Sequence, residues 1–135
     1  MEKVIVCVSK TPKGYCAGIA ILPGWVMAVT GSFSDFKREL AESIQVFITW
    51  AKKDGDPYPA VFDREYEFEY LYDIESLMCF YEGIITKAAL SRLTGINQKQ
   101  LGRYANGQSK PREAQVRKIR NALYALGEEL LAISV

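Results

Sequence analysis

Residues 86–111 read TKAALSRLTGINQKQLGRYANGQSKP, two short helical patterns that meet at Gly95-Ile96. In the first, Ala89, Leu90 and Leu93 recur at helical spacing. In the second, Leu101 and Tyr104 share a face, while Gln98, Lys99, Gln100 and Arg103 are polar. Gly95 has no Cβ to clash in the left-handed conformation, so it suits the end of the first helix. Asn97 suits the cap of the second, with Gln100 three residues later to close a capping box. Helix, tight glycine turn and polar-faced helix form the layout of a helix-turn-helix. The polar set also suits base edges, since Gln and Asn pair bidentately with adenine and Arg with guanine. The expected DNA-contacting residues are therefore Asn97, Gln98, Lys99, Gln100 and Arg103, with Lys110 on phosphate. Taken alone, the turn fits an ordinary helical hairpin with a soluble face equally well.

The flanks extend this pattern into an all-α unit over residues 73–135. Asp73 is placed to cap a short helix with Ile74, Leu77, Met78 and Tyr81 inside, ending at Gly83. Residues 112–133 carry Val116, Ile119, Leu123, Leu126 and Leu130 as the stripe of a long helix. The apolar end of that helix, LLAISV, suits packing against another copy of the chain. Charge sets this half apart. Residues 1–83 hold 8 Lys and Arg against 13 Asp and Glu, a net −5, whereas residues 84–135 hold 9 against 3, a net +6. A basic block over the helical motif is the footprint expected for phosphate contacts. The acidic block implies a different, basic partner.

The N-terminal half alternates differently. Residues 3–9 (KVIVCVS) are rich in β-branched residues and predict a strand. Residues 10–14 are turn chemistry. Residues 15–22 predict a second strand with Tyr15, Ala17, Ile19 and Ile21 on one face, and residues 25–30 a third after a Pro23-Gly24 turn, together an antiparallel meander. Ser32 and Asp35 have capping spacing before a helix that runs to about Lys53. Its apolar face is Phe33, Phe36, Leu40, Ile44, Phe47, Ile48 and Ala51. Residues 54–63 predict a loop. Residues 65–72 alternate strictly, with Tyr66, Phe68, Tyr70 and Tyr72 opposite Glu65, Glu67 and Glu69, which predicts a fourth strand with one wet face. The glutamates would repel phosphate, so the aromatic row reads as packing rather than a base-stacking platform. The fold class is α+β, a βββαβ domain over residues 1–72 followed by the all-α domain.

Composition bounds the function. The chain has 135 residues, 49% of them hydrophobic, and no run of 18 apolar residues. Met1-Glu2-Lys3 leads straight into a strand pattern, so neither a signal peptide nor a membrane span is expected, and the chain reads as cytoplasmic. Cys7, Cys16 and Cys79 are scattered, histidine is absent, and no zinc site or other cofactor is expected. The missing histidine also removes the commonest general base near neutral pH.

Two resemblances sharpen the reading. LSRLTGINQKQLGRYANGQSKP followed by a long helix resembles the phage-repressor (Cro, XRE) helix-turn-helix at Leu90, Leu93, Gly95, Ile96, Leu101, Tyr104, Gly107, Lys110 and Pro111. It departs at Asn106, where Glu is frequent, and at Arg92-Leu93, where a small residue is usual. GYCAGIAILPGWVMAVTGSFSDFKRELAESIQVFI resembles the N-terminal domain of HicB-type antitoxins at Gly14, Tyr15, Ala17, Leu22, Pro23, Gly24, Gly31, Ser32 and Glu42. It departs at Ala20, where an aromatic is usual, and lacks an acidic residue before Leu22. The HicB resemblance implies a partial RNase H-like fold that binds a small basic HicA-like ribonuclease toxin. It also implies a C-terminal domain that represses the operon, working as a homodimer or higher oligomer on double-stranded operator DNA. The toxin-contacting residues are not assigned by it.

An RNase H-like fold invites an enzymatic reading, in which Asp35, Glu39 and Glu42 on neighbouring helical turns are the best available carboxylate cluster for two-metal hydrolysis. A solvated helix face explains them better, and no catalytic or metal residue is assigned. Two non-catalytic readings stand: an antitoxin that also represses, and an XRE-type regulator whose N-terminal domain senses a small ligand or dimerises.

Overall fold

Alternation of valines builds the first strand. In the computed structural model, which describes residues 1–12, 14–29 and 31–135, β1 (Glu2–Thr11) buries Val4, Val6 and Val8 on one face and exposes Lys3, Ile5, Cys7 and Ser9 on the other. β2 (Gly14–Gly18) pairs antiparallel with β1, and β3 (Val26–Val29) antiparallel with β2. β4 (Tyr66–Tyr72) lies on the far side of β1 and runs parallel to it, giving the order β3-β2-β1-β4. The chain is α+β, with a mixed four-stranded sheet followed by helices. It divides into two units, Met1–Asp73 and Ile74–Val135.

Within the first unit, α1 (Phe33–Asp54) starts where Ser32 Oγ accepts the Asp35 N–H at 3.2 Å and ends at left-handed Gly55. It buries Phe36, Leu40, Ile44, Ile48 and Ala51, one residue per turn. Each large side chain among them contributes about 1.5–3 kcal/mol relative to exposure. Phe33 and Phe36 meet Tyr70 edge-on at 5.1 and 5.6 Å, on the sheet face that carries Val6, the Tyr70 register partner. Phe62, Tyr66, Phe68 and Tyr70 then continue as an aromatic ladder at 5.2, 5.4 and 6.5 Å. The aromatic row is packing, as its alternation predicts.

Three expectations in this unit need correction. The second strand ends at Gly18 rather than residue 22, because Leu22 N–H turns back to Ile19 C=O and Trp25 N–H to Leu22 C=O. That turn buries Leu22 and leaves Ile21 49% exposed, so Ile21 does not share the inner face with Ala17 and Ile19. The loop of residues 54–63 closes in a 3-10 turn, Ala60–Asp63, which buries Val61 and Phe62. The expected residue 10–14 turn is narrower, since Thr11 and Gly14 already pair. Lys13 and Thr30, placed by sequence in a turn and at a strand end, lie outside the described residues.

The second unit packs α2 (Ile74–Phe80), α3 (Lys87–Thr94), α4 (Gln98–Ala105) and α5 (Glu113–Ala132). Ile74, Met78, Leu90, Ile96, Leu101, Tyr104 and Ile119 form its core. Leu93 is 49% exposed instead of sharing the face of Leu90. The α5 stripe is buried only at Ile119, and Leu130 is 59% exposed. Length explains this, because twenty helical residues span about 30 Å and an eight-residue α3 or α4 about 12 Å. No described helix is long and apolar enough to cross a membrane.

Candidate functional site

The α3–α4 turn is held by side chains as well as by its glycine. Gly95 sits at φ +79°, with its N–H on Ser91 C=O at 2.8 Å. Ser91 Oγ donates to Ile96 C=O at 2.6 Å, and Thr94 Oγ1 accepts the Ile96 N–H at 3.1 Å. Both polar backbone groups of Ile96 are thus satisfied while its side chain enters the core. Asn97 then caps α4, its Oδ1 accepting the Lys99 N–H at 2.8 Å.

Leu101 and Tyr104 anchor α4 in the core, being 0% and 5% exposed. Helical geometry therefore turns Lys99 and Arg103 outward, and Gln98, Lys99, Arg103 and Lys110 are exposed, as is Asn97. Gln100 is the exception. It is half-buried, and its side chain does not return to close a capping box. Its Nε2 donates to Ser109 Oγ at 3.0 Å, and its Oε1 accepts Arg103 Nη1 at 3.2 Å. Gln100 thus orients Arg103 instead of facing outward. Ser109 is a positioning residue that sequence reasoning missed, since a partner nine positions away across a turn leaves no local signal.

The electrostatics are one-sided. Residues 74–135 hold nine Lys and Arg against five Asp and Glu. Among the described residues only Arg120 of those nine forms an ion pair, with Glu113 at 4.0 Å. Unpaired, exposed cations beside an outward helix face can engage a polyanion without first breaking an internal contact.

In the first unit, Asp35 pairs with Arg38 at 3.3 Å, and Glu42 is exposed on the helix surface. No group of three or more potential metal ligands occurs among the described residues, and Asp35, Glu39 and Glu42 do not form one. A groove of about 360 Å³ lies along α1, lined by Trp25, Val46, Phe47, Trp50, Asp54 and Pro57. Trp25 Nε1 donates to Ser43 Oγ at its floor, at 2.9 Å. All three cysteines are free thiols. No protein-family model matches this chain, and neither a curated protein nor a solved structure gives a match.

Proposed function

We propose that this chain is an antitoxin of the HicB type. In this reading residues 74–135 bind operator DNA, with α3 and α4 as a helix-turn-helix and α4 as the recognition helix. Residues 1–73 bind and neutralise a small, basic, HicA-like ribonuclease. The outward face of α4 carries the proposal: Gln98, Lys99 and Arg103 are exposed over a Leu101–Tyr104 anchor, in a unit whose cations are mostly unpaired. An antiparallel meander continued by one parallel strand through a helical crossover supports the partial RNase H-like reading of the other unit. The exposed apolar end of α5 supports self-association, which a two-fold operator would require. The chain acts without a cofactor and without cleaving nucleic acid. It works in the cytoplasm, where its operator and toxin are found.

The test is binding to duplex DNA from the chain's own promoter and to a random duplex, over a range of salt. Arg103→Ala costs about 1–3 kcal/mol on promoter DNA and relaxes sequence preference. Lys110→Ala weakens both duplexes alike and lowers the salt slope by about 0.9. The same preparation with magnesium or manganese leaves RNA intact. Equal affinity of the wild type for the two duplexes refutes base reading.

The groove beside Trp25, Phe47 and Trp50 favours a second reading, a regulator whose N-terminal unit takes an aromatic or apolar small ligand. Rescue of toxin-arrested cells by the chain separates the two, because a ligand-sensing regulator gives no rescue.

A further inference from the structure

The sheet of the first unit is covered on one face only, and its open face is not a typical wet one. One row crosses all four strands in register: Leu71, Cys7, Gly18 and Val26. The next is Ser9, Cys16 and Ala28. Neither row contains a charge. Ile5, Val26 and Leu71 are 48%, 67% and 57% exposed, and Cys7 is exposed. A sheet face left to water normally alternates to polar residues, so an apolar centre of this kind marks an interaction surface.

The charges on this face are confined to one side. Glu67 and Glu69 stand on the edge strand β4, beside Lys3 and Ile5 of β1. Neither glutamate forms an ion pair or side-chain hydrogen bond among the described residues, and Lys3 is the one cation on this face among them. A second copy laid face to face would meet these carboxylates with a surface equally poor in cations. The groove along α1 is acidic too, with Asp54 and Asp56 in its lining, but cations accompany its carboxylates: Lys53 lies 4.9 Å over the Trp50 ring and Lys52 pairs with Asp63.

We infer that the open sheet face is the docking surface for the basic toxin, with an apolar contact on the Leu71–Val26 row and lysines or arginines of the partner on the Glu67–Glu69 edge. This rests on the antitoxin reading and assigns the contact surface that the reading leaves open. Three strand spacings make the face about 14 Å wide, so it supplies the apolar centre of an interface rather than the whole of it. The acidic edge supplies part of the rim, where charge acts mainly on the rate of encounter.

The experiment co-expresses tagged full-length chain with the small open reading frame adjacent to its gene and measures capture and binding kinetics. Ile5→Lys and Leu71→Lys each weaken binding at least tenfold. Glu67→Gln with Glu69→Gln, which leaves the apolar face intact, slows association several-fold at low salt and has little effect at high salt. All variants retain wild-type circular dichroism and promoter binding, and Trp50→Ala in the groove binds the partner like wild type. If the wild type binds and the Ile5→Lys, Leu71→Lys double variant stays within twofold of it, the sheet face is wrong and the antitoxin reading survives. The sheet face is equally wrong if only Trp50→Ala loses binding. If the wild type captures nothing at any salt concentration, the antitoxin reading fails and this inference with it.

Discussion

Gly95 and Gly102, seven residues apart, should respond to alanine with opposite signs. Gly95 lies at φ +79° between α3 and α4, and a Cβ built there meets nothing within 4 Å. The penalty for Gly95→Ala is therefore conformational and not steric, about 1–2 kcal/mol for left-handed backbone carrying a Cβ. Stiffening of the unfolded chain returns about 0.4–1 kcal/mol, which leaves a net loss of about 1 kcal/mol. Gly102 lies inside α4, has ordinary helical backbone, and also has nothing within 4 Å of a built Cβ. Gly102→Ala should stabilise by about 0.5–1 kcal/mol, since alanine loses less freedom on entering a helix. For a unit of this size, 1 kcal/mol moves the midpoint by about 4–8 °C. Both tryptophans, Trp25 and Trp50, belong to the first unit. Tryptophan fluorescence thus follows residues 1–73, while circular dichroism at 222 nm adds α2 to α5. The expected result is a dichroism midpoint lowered by Gly95→Ala and raised by Gly102→Ala. Shifts of the same sign would refute the assignment of Gly95 to a left-handed turn and Gly102 to a helix interior.

Two further outcomes follow from packing. Burial against Phe33 and Phe36 raises the Tyr70 pKa above its ordinary 10.0. The unfolded chain then ionises first, so the stability this hydroxyl contributes is complete below about pH 10 and is lost as pH rises through the folded value. The difference in melting temperature between Tyr70→Phe and wild type should therefore grow in favour of the variant from pH 9 to 11, and a constant difference would count against the burial. The exposed end of α5 predicts that Leu130→Glu with Ile133→Glu lowers the molar mass measured by light scattering and weakens binding to a two-half-site duplex at least tenfold. An unchanged mass would count against the proposed self-association through α5.

The parts legible in the sequence are those set by near neighbours. Ser32, Asn97 and Gly95 act within a few residues of themselves, and each cap sits where its residue type predicts. Strict alternation in β4 was equally local, because a period of two assigns every side chain to a face before any partner strand is known. Strand order was not legible. Nothing in residues 66–72 states that β4 pairs parallel with β1 and leaves an edge beyond it, because pairing depends on a helix-long crossover and not on composition. The overlong second strand has a related cause. Ile19, Ile21 and Leu22 have strand propensity, but the backbone turns at Ile19 and Leu22, and burial then falls on Leu22 instead of Ile21.

The candidate site divides along the same line, and the division bears on how α4 would work. Residue type placed Gln98, Lys99 and Arg103 outward correctly, since Leu101 and Tyr104 fix the buried side and helical geometry fixes the rest. Residue type also placed Gln100 with them, and there a contact nine residues away prevails. Ser109 takes the Gln100 amide N–H, which presents the carbonyl oxygen to Arg103. A guanidinium held in this way loses less rotamer freedom when it engages a guanine edge than one moving freely on the surface. If α4 is the recognition helix proposed above, the Gln100–Ser109 pair would act on recognition through Arg103. Its loss would broaden sequence preference at the Arg103 position and leave the phosphate-dependent salt slope in place, whereas loss of Lys110 would change that slope and leave the preference in place.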